Sequence, residues 1–296
     1  MHTPIAPLFV PAHKRKMLDG AIARDVDTVI LDLEDAVPRE EKDQAREGVR
    51  QFVRQRPGRA FARINPFKVT RGFGTACGAE DVAAVVLPGL RGLFLPKVET
   101  VEQLLEINDA IARCERAASI AEGSLQVGVI VETAQGIINL SSIARGRLGR
   151  DTILLFGIGD FTTDLEIDWS RDEAETLVPR SMVPIAARAN ELHRPLDSVF
   201  IDVADDEGLR ASARQGKSLG YGGKCVIHPR QIEIVREVYR PTEAELAWSA
   251  RIVEKAVEMQ GQGSGAFLLD GRMIDDPIVE RAKGVLARQA DFQSGT

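Results

Sequence analysis

Apolar runs of strand length recur along this chain, and nearly every one is followed by a stretch in which apolar residues return at helical spacing. Such runs, bounded by turn residues, read as parallel strands covered on both faces. In order they are "PLFVPA" (7–12), "TVILDLED" (28–35), "RAFARINP" (59–66), "GLFLPKVE" (92–99), "LQVGVIVET" (125–133), "TILLFGIGD" (152–160), "DSVFIDVA" (197–204) and "GKCVIHP" (223–229). The intervening stretches are amphipathic. In "REEKDQAREGVRQFVRQ", for example, Ala45, Val49, Phe52 and Val53 share one helical face, and the charged face reads as solvated surface. Eight strand-then-helix units in about 240 residues predict an α/β fold, a closed (β/α)8 or TIM barrel. A doubly wound open sheet is the alternative, and it would normally have fewer strands or an edge irregularity.

The pattern changes after Tyr239. "PTEAELAWSARIVEKAVEMQ" reads as a helix, "GQGSGAFLLDGRMIDD" as a Gly-rich turn and short hairpin, and "PIVERAKGVLARQ" as a last helix. The expectation is a barrel over residues 1–240 and a lid, arm or oligomer contact over 241–296.

Composition narrows the partners. A net charge of −6 argues against nucleic acid or an anionic membrane surface as the main partner. An anionic small substrate would need a local cationic site. The three cysteines are widely spaced and odd in number, which implies neither a disulfide framework nor a zinc cluster. No apolar run reaches the roughly 18 residues of a membrane span, and the N-terminus lacks a signal-peptide pattern, so the expected location is the cytoplasm.

In a barrel the C-terminal ends of the strands face one shared pocket. Those ends read Pro11; Glu34 and Asp35; Arg63 and Asn65; Lys97; Glu132; Asp160; Asp202; His228. Acids and cations thus converge on one rim, which explains why an apolar run such as "VILDLED" tolerates carboxylates at its end. Glu132 and Asp160 end adjacent strands, and two carboxylates with room for water suit Mg²⁺, a hard ion that takes few protein ligands. The competing reading pairs each acid with a neighbouring Lys or Arg. Arg63 has two compatible readings, as an ion-pair partner of Glu34 or Asp35 and as a donor to a carboxylate or enolate oxygen. Lys97 among acids stays protonated and is a poor amine nucleophile, so it reads as an electrostatic partner of the cluster. His228, in "VIHP", reads as a structural hydrogen-bonding residue in preference to a base. His2, His13 and His193 share no metal-ligand spacing. "GKS" (216–218) lacks the first glycine of a phosphate loop and falls at the end of a helix.

"LFVPA", "VILDLEDAV", "ARINP", "LPKVET", "VETAQGIIN", "FGIGDF", "GKCVIHPRQI" and "DGRMIDDP" together resemble the citrate lyase β-subunit-like family. It belongs to the wider HpcH/HpaI aldolase/citrate lyase group, which includes malyl-CoA and citramalyl-CoA lyases. The resemblance runs nearly end to end. It implies a Mg²⁺-dependent barrel, commonly a homotrimer or dimer of trimers, that cleaves or forms a C–C bond next to a CoA thioester. It further implies Glu132 and Asp160 as metal ligands, Arg63 as substrate-binding, Asp275 as the catalytic acid/base, Lys16 as a CoA contact, and Ile227 and His228 as backbone contacts. Two departures stand out. Gly159 replaces an acid beside the metal ligand, and "IAP" replaces an Arg-Ser before the first strand.

The chemistry so implied is retro-Claisen cleavage of a 3-hydroxyacyl-CoA into acetyl-CoA and a small 2-oxo acid, or its reverse. Arg63 would meet the enolate oxygen and Asp275 would protonate the enolate carbon. CoA phosphates would meet the basic "HKRK" loop. Asp276 is expected to cap the last helix, leaving Asp275 to reach the site of a neighbouring subunit. Three other readings stay open: the β subunit of a citrate lyase acting on a carrier-protein thioester, a CoA-independent aldolase releasing pyruvate, and a non-catalytic CoA-ester-binding scaffold.

Overall fold

The computed structural model describes residues 3–69, 75–260 and 265–294. The chain divides into two compact units, Met1–Arg236 and Glu237–Thr296.

In the first unit, strands β1 (Leu8–Pro11), β2 (Val29–Asp32), β3 (Ala60–Arg63), β4 (Gly92–Leu95), β5 (Gln126–Val131), β6 (Thr152–Phe156), β7 (Leu196–Asp197) and β8 (Gly223–Lys224) pair in parallel in sequence order. The sheet closes on itself. Lys224 and Val226 donate their N–H groups to the carbonyls of Ile5 and Pro7, and Phe9 N–H donates to Val226 O at 2.8 Å. The expected (β/α)8 barrel is therefore present. Its interior is solid, filled by Ile30, Phe61, Phe94, Ile130, Leu155 and Leu196 among others. Phe61 and Phe94 meet edge to face with centroids 5.1 Å apart. Gly128 is what admits Phe94, because a Cβ there would lie 2.2 Å from that ring.

The connecting helices are α1 (Arg15–Ala23), α2 (Lys42–Gln55), α3 (Gly78–Val85), α4 (Val101–Ala117), α5 (Ala134–Ile138), α6 (Leu140–Arg145), α7 (Ile158–Asp164), α8 (Leu177–Ala189), α9 (Asp206–Leu219) and α10 (Arg230–Tyr239). Thr100 and Gln103 form a reciprocal capping box at the start of α4. The "GKS" triplet lies in the last turn of α9, as its spacing indicated.

The last two barrel strands are shorter than the apolar runs predicted. After Asp197 the N–H of Ser198 turns to its neighbour's carboxylate Oδ1 at 2.9 Å, which takes it out of the ladder. That carboxylate is in turn gripped by the guanidinium of Arg180 from α8 and by Lys224 Nζ at 3.1 Å. A fully buried ion network thus bolts β7 and β8 to the surrounding helices.

The second unit holds α11 (Glu243–Gln260), an antiparallel hairpin of β9 (Ala266–Leu269) and β10 (Arg272–Asp275), and α12 (Asp276–Ser294). Asp270 and Gly271 turn the hairpin with φ of 50° and 74°, the positive pair that a two-residue turn requires. Ile252, Ala256, Ile274, Val279 and Ala282 form its core. One expectation is corrected here. Asp275, not Asp276, caps α12, its Oδ1 accepting from Ile278 N–H at 3.3 Å. Asp275 is still a strand residue paired with Ala266, so it has the non-helical backbone of a cap, whereas Asp276 is already the first helical residue. Among the described residues, no helix is long and apolar enough to cross a membrane.

Candidate active site

The strand-end acids do not share one environment. Asp32, the last residue of β2, is buried and accepts from the N–H groups of Glu34 at 3.0 Å and Ala36 at 3.3 Å. Both of its oxygens also take the Arg63 fork, each at 2.7 Å. Burial alone would raise this carboxyl, but the guanidinium and the two amides outweigh it and hold Asp32 below the ordinary carboxylate range.

Glu34 was expected at a charged rim, where water would solvate it, and is instead 1% exposed. It lies between Arg63 Nη1, 3.0 Å from its Oε2, and Lys97 Nζ, 2.5 Å from its Oε1. Burial pushes its carboxyl up to about 7, against the pull of Arg63 and with Asp35 adding repulsion. Asp35 is the half-exposed member, 3.6 Å from Arg63 and 3.4 Å from Lys97. Arg63 therefore pairs as the sequence suggested, but its principal partner is Asp32.

Beneath this layer a third cation is hidden. Lys42, which the charged run "REEKDQAR" placed on a solvated face, is buried. Its ammonium donates to the carbonyls of Leu33 and Glu34 at 2.6 and 2.8 Å and to Asn65 Oδ1 at 2.8 Å. Asn65 in turn donates to Leu33 O and, from side chain and backbone, to buried Asp81. The loop bearing Glu34 and Asp35 is thus fixed from below. Lys42 was legible after all, since it lies three residues before Ala45 on the apolar face of α2.

Glu132 follows β5 directly and is buried, its Oε1 accepting from Lys97 N–H at 2.8 Å. Its carboxyl is raised well above the ordinary range, first by burial, then by the charges of Asp160 and Glu34, against Lys97 and Arg63. Asp160 was expected on a strand but lies in the first turn of α7, whose start is held by Ile158 N–H donating to Ser198 Oγ at 3.0 Å. Between strand and helix, Gly157 lets the backbone pass close to Glu132, because a Cβ there would sit 2.4 Å from Glu132 Oε2. Lys97 Nζ reaches Asp160 Oδ2 at 3.3 Å, so the ion pair weighed for this acid is present. Among the described residues, no protein donor reaches Glu132 Oε2 or Asp160 Oδ1, and no group of three or more His, Cys, Asp or Glu could hold a metal.

A cavity of about 1180 Å³ opens over these groups and is lined by Lys16, Arg63, Glu132, Asp160, Ile227 and His228. It continues along one face of α1, past Met17, Gly20, Ala21 and Arg24. His228 Nδ1 accepts from Arg230 N–H at 3.2 Å. The N–H groups of Ile227 and His228 are both taken by Gln231 Oε1, which leaves carbonyls and side chains for any ligand contact there. Asp202 is exposed and accepts from Ala204 N–H in its own loop, so it belongs to the surface. Asp275 belongs to the second unit. The residues that sequence reasoning missed are Asp32 as the clamp on Arg63, Lys42, and Ser198.

The HpcH/HpaI aldolase/citrate lyase family model matches residues 6–229. The citrate lyase subunit beta of Haemophilus influenzae is 34% identical over 95% of this chain and 95% of its own length. The mitochondrial citramalyl-CoA lyase of Rattus norvegicus is 30% identical over 95% of this chain and 84% of its own. Among solved structures, the protein CitE from Mycobacterium tuberculosis, in complex with magnesium, acetoacetate and coenzyme A, superposes with a TM-score of 0.77 at 30% identity. That match covers 97% of this chain and 98% of the other.

Proposed function

This chain belongs to the HpcH/HpaI aldolase/citrate lyase family, and from that premise we propose that it is a Mg²⁺-dependent carbon–carbon lyase acting on a 3-hydroxyacyl-CoA such as malyl-CoA or citramalyl-CoA. The products are acetyl-CoA and a small 2-oxo acid, with cleavage passing through an enolate, or the reverse. The observation that carries this reading is the pair Glu132 and Asp160, each with an oxygen that no protein donor among the described residues reaches, opening onto a cavity that also presents Arg63.

The site's own charge fits a dication. Five carboxylates, Asp32, Glu34, Asp35, Glu132 and Asp160, gather around the cationic side chains of Arg63 and Lys97, and the Glu132 carboxyl is raised first by burial and then by the charges of Asp160 and Glu34. Two protein ligands suit Mg²⁺, which keeps several waters or substrate oxygens. When bound, the ion would supply Lewis-acid polarisation and orientation of the oxo-acid half.

The protein groups do the rest. Arg63 is held rigidly by Asp32 and Glu34 and stays protonated, because its carboxylate neighbours outweigh burial. It spends its Nε and one Nη2 hydrogen on Asp32, which leaves guanidinium donors for the enolate oxygen. The cavity along α1 has room for a pantetheine arm, with Lys16 and Arg24 for the phosphates. We assign enolate protonation to Asp275, supplied by a neighbouring subunit of a homotrimer or dimer of trimers. Glu34 and Asp35 pair with Arg63, and Lys97 holds Glu132 and Asp160 through its N–H and its ammonium. The likeness to a citrate lyase β subunit favours one second reading, the same chemistry on a carrier-protein thioester.

The deciding experiment incubates purified protein with malyl-CoA, citramalyl-CoA and citryl thioesters, with and without Mg²⁺. Release of acetyl-CoA and a 2-oxo acid from a CoA ester, only with Mg²⁺, is the expected result. Turnover confined to the citryl carrier thioester would select the second reading, and metal-independent turnover would overturn both.

A further inference from the structure

Lys97 follows β4 and Pro96, is buried, and has a backbone φ of 51°, in the left-handed region that favours glycine. If a turn were all this position required, Gly or Asn would adopt it at lower cost. The lysine therefore contributes something a turn residue cannot, and its contacts say what. The strained backbone aims its N–H at Glu132 Oε1, 2.8 Å away. Its ammonium lies 2.5 Å from Glu34, 3.4 Å from Asp35 and 3.3 Å from Asp160. One residue thus holds both carboxylates of the candidate metal pair, one through the backbone and the other through charge.

Resting on the metal reading above, we propose that Lys97 is a positioning residue that serves as the site's built-in counter-cation: its amide fixes Glu132, and its ammonium occupies Asp160 until a divalent cation displaces it from that contact. Glu34 and Asp35 give the ammonium somewhere to remain once Asp160 is released. Because a cation close to a dication repels it, the lysine weakens metal binding even as it prepares the ligands. The site so built has its carboxylates in place before loading and binds its ion reversibly.

The test is Mg²⁺ titration by calorimetry, with melting temperature alongside, on wild type, Lys97→Gly and Lys97→Val. Glycine keeps the left-handed backbone and the N–H but removes the ammonium, so Lys97→Gly should bind Mg²⁺ at least tenfold more tightly than wild type. It should also melt lower without Mg²⁺ and be stabilised by Mg²⁺ more than wild type is. Valine disfavours positive φ, withdraws the amide from Glu132, and should lose that gain; Lys97→Ala makes the same comparison should Lys97→Val not fold. In an Asp160→Asn background the effect of Lys97→Gly should shrink to less than threefold. If wild type binds Mg²⁺ and Lys97→Gly binds it no more tightly, the counter-cation role is overturned while the metal reading stands. Equal affinity in the Gly and Val variants overturns the backbone role. A wild-type protein that binds no Mg²⁺ overturns the metal reading and this inference with it.

Discussion

The bidentate grip of Asp32 on Arg63 fixes a planar fork in a buried place, and lysine cannot reproduce it. Arg63→Lys keeps one positive charge but loses the second edge, along with the donors directed at the enolate. If that contact strengthens as the bond breaks, kcat should fall by about 10²-fold or more while KM changes little. Steady-state kinetics on the preferred thioester would check this, and a pure KM effect would confine Arg63 to ground-state binding. Glu34 allows a prediction without substrate. Its folded-state carboxyl is raised to about 7 from 4.5, chiefly by burial. A raised acid contributes its stability fully below the unfolded value and loses it as pH climbs through the folded one. Wild type should therefore lose stability relative to Glu34→Gln between about pH 4.5 and 7, by an amount of order 3 kcal/mol. Urea unfolding at intervals across that window would reveal the divergence, and parallel curves would contradict it. The sequence placed Glu34, Asp35, Arg63, Lys97, Glu132 and Asp160 together because strand ends in a barrel share a rim. It could not reveal that Glu34 would be sealed, since that depends on Lys97 and Arg63 closing over it from two other strands.

Helix α2 shows how an element can serve the site while reading as surface. Ala45, Val49, Phe52 and Val53 face the barrel, and Lys42 extends that stripe by one turn with its ammonium under the Glu34 loop. Lys42→Met would keep the stem and leave the Leu33 and Glu34 carbonyls and Asn65 Oδ1 without this donor. Unfolding free energy should fall by about 2–4 kcal/mol, measured by urea denaturation. A loss below about 0.5 kcal/mol, the range of ordinary surface changes, would mean the contacts are replaceable. Elements were legible where the signal was local. The eight alternations, the α4 cap and the Asp270–Gly271 hairpin all follow from adjacent residues. They were not legible where distant residues decide. Asp160 lies on a helix because Ser198, far along the chain, receives the first amide of α7. β7 stops early because Asp197 diverts the next N–H to its own side chain.

At the scale of the whole molecule, the proposed role of Asp275 joins a residue of the second unit to chemistry laid out in the barrel. Its place as the cap of α12 sharpens the experiment. Asparagine caps a helix about as well as aspartate, so Asp275→Asn should leave α12 intact while removing a carboxylate that can exchange a proton. The variant should lose turnover and keep wild-type melting temperature and Mg²⁺ affinity, whereas Asp276→Asn should stay active. If a homotrimer forms and each Asp275 serves the next subunit, two dead proteins can repair each other. An Asp275→Asn subunit still offers Glu132, and a Glu132→Gln subunit still offers Asp275. Co-refolded in equal amounts, they should regain about a quarter of wild-type activity, because each site draws its own subunit and one neighbour from a random mixture. The mass in solution must first be that of three chains, and exchange must be confirmed with a tagged copy. Mixed trimers that stay inactive would place Asp275 on its own subunit's chemistry, or on none.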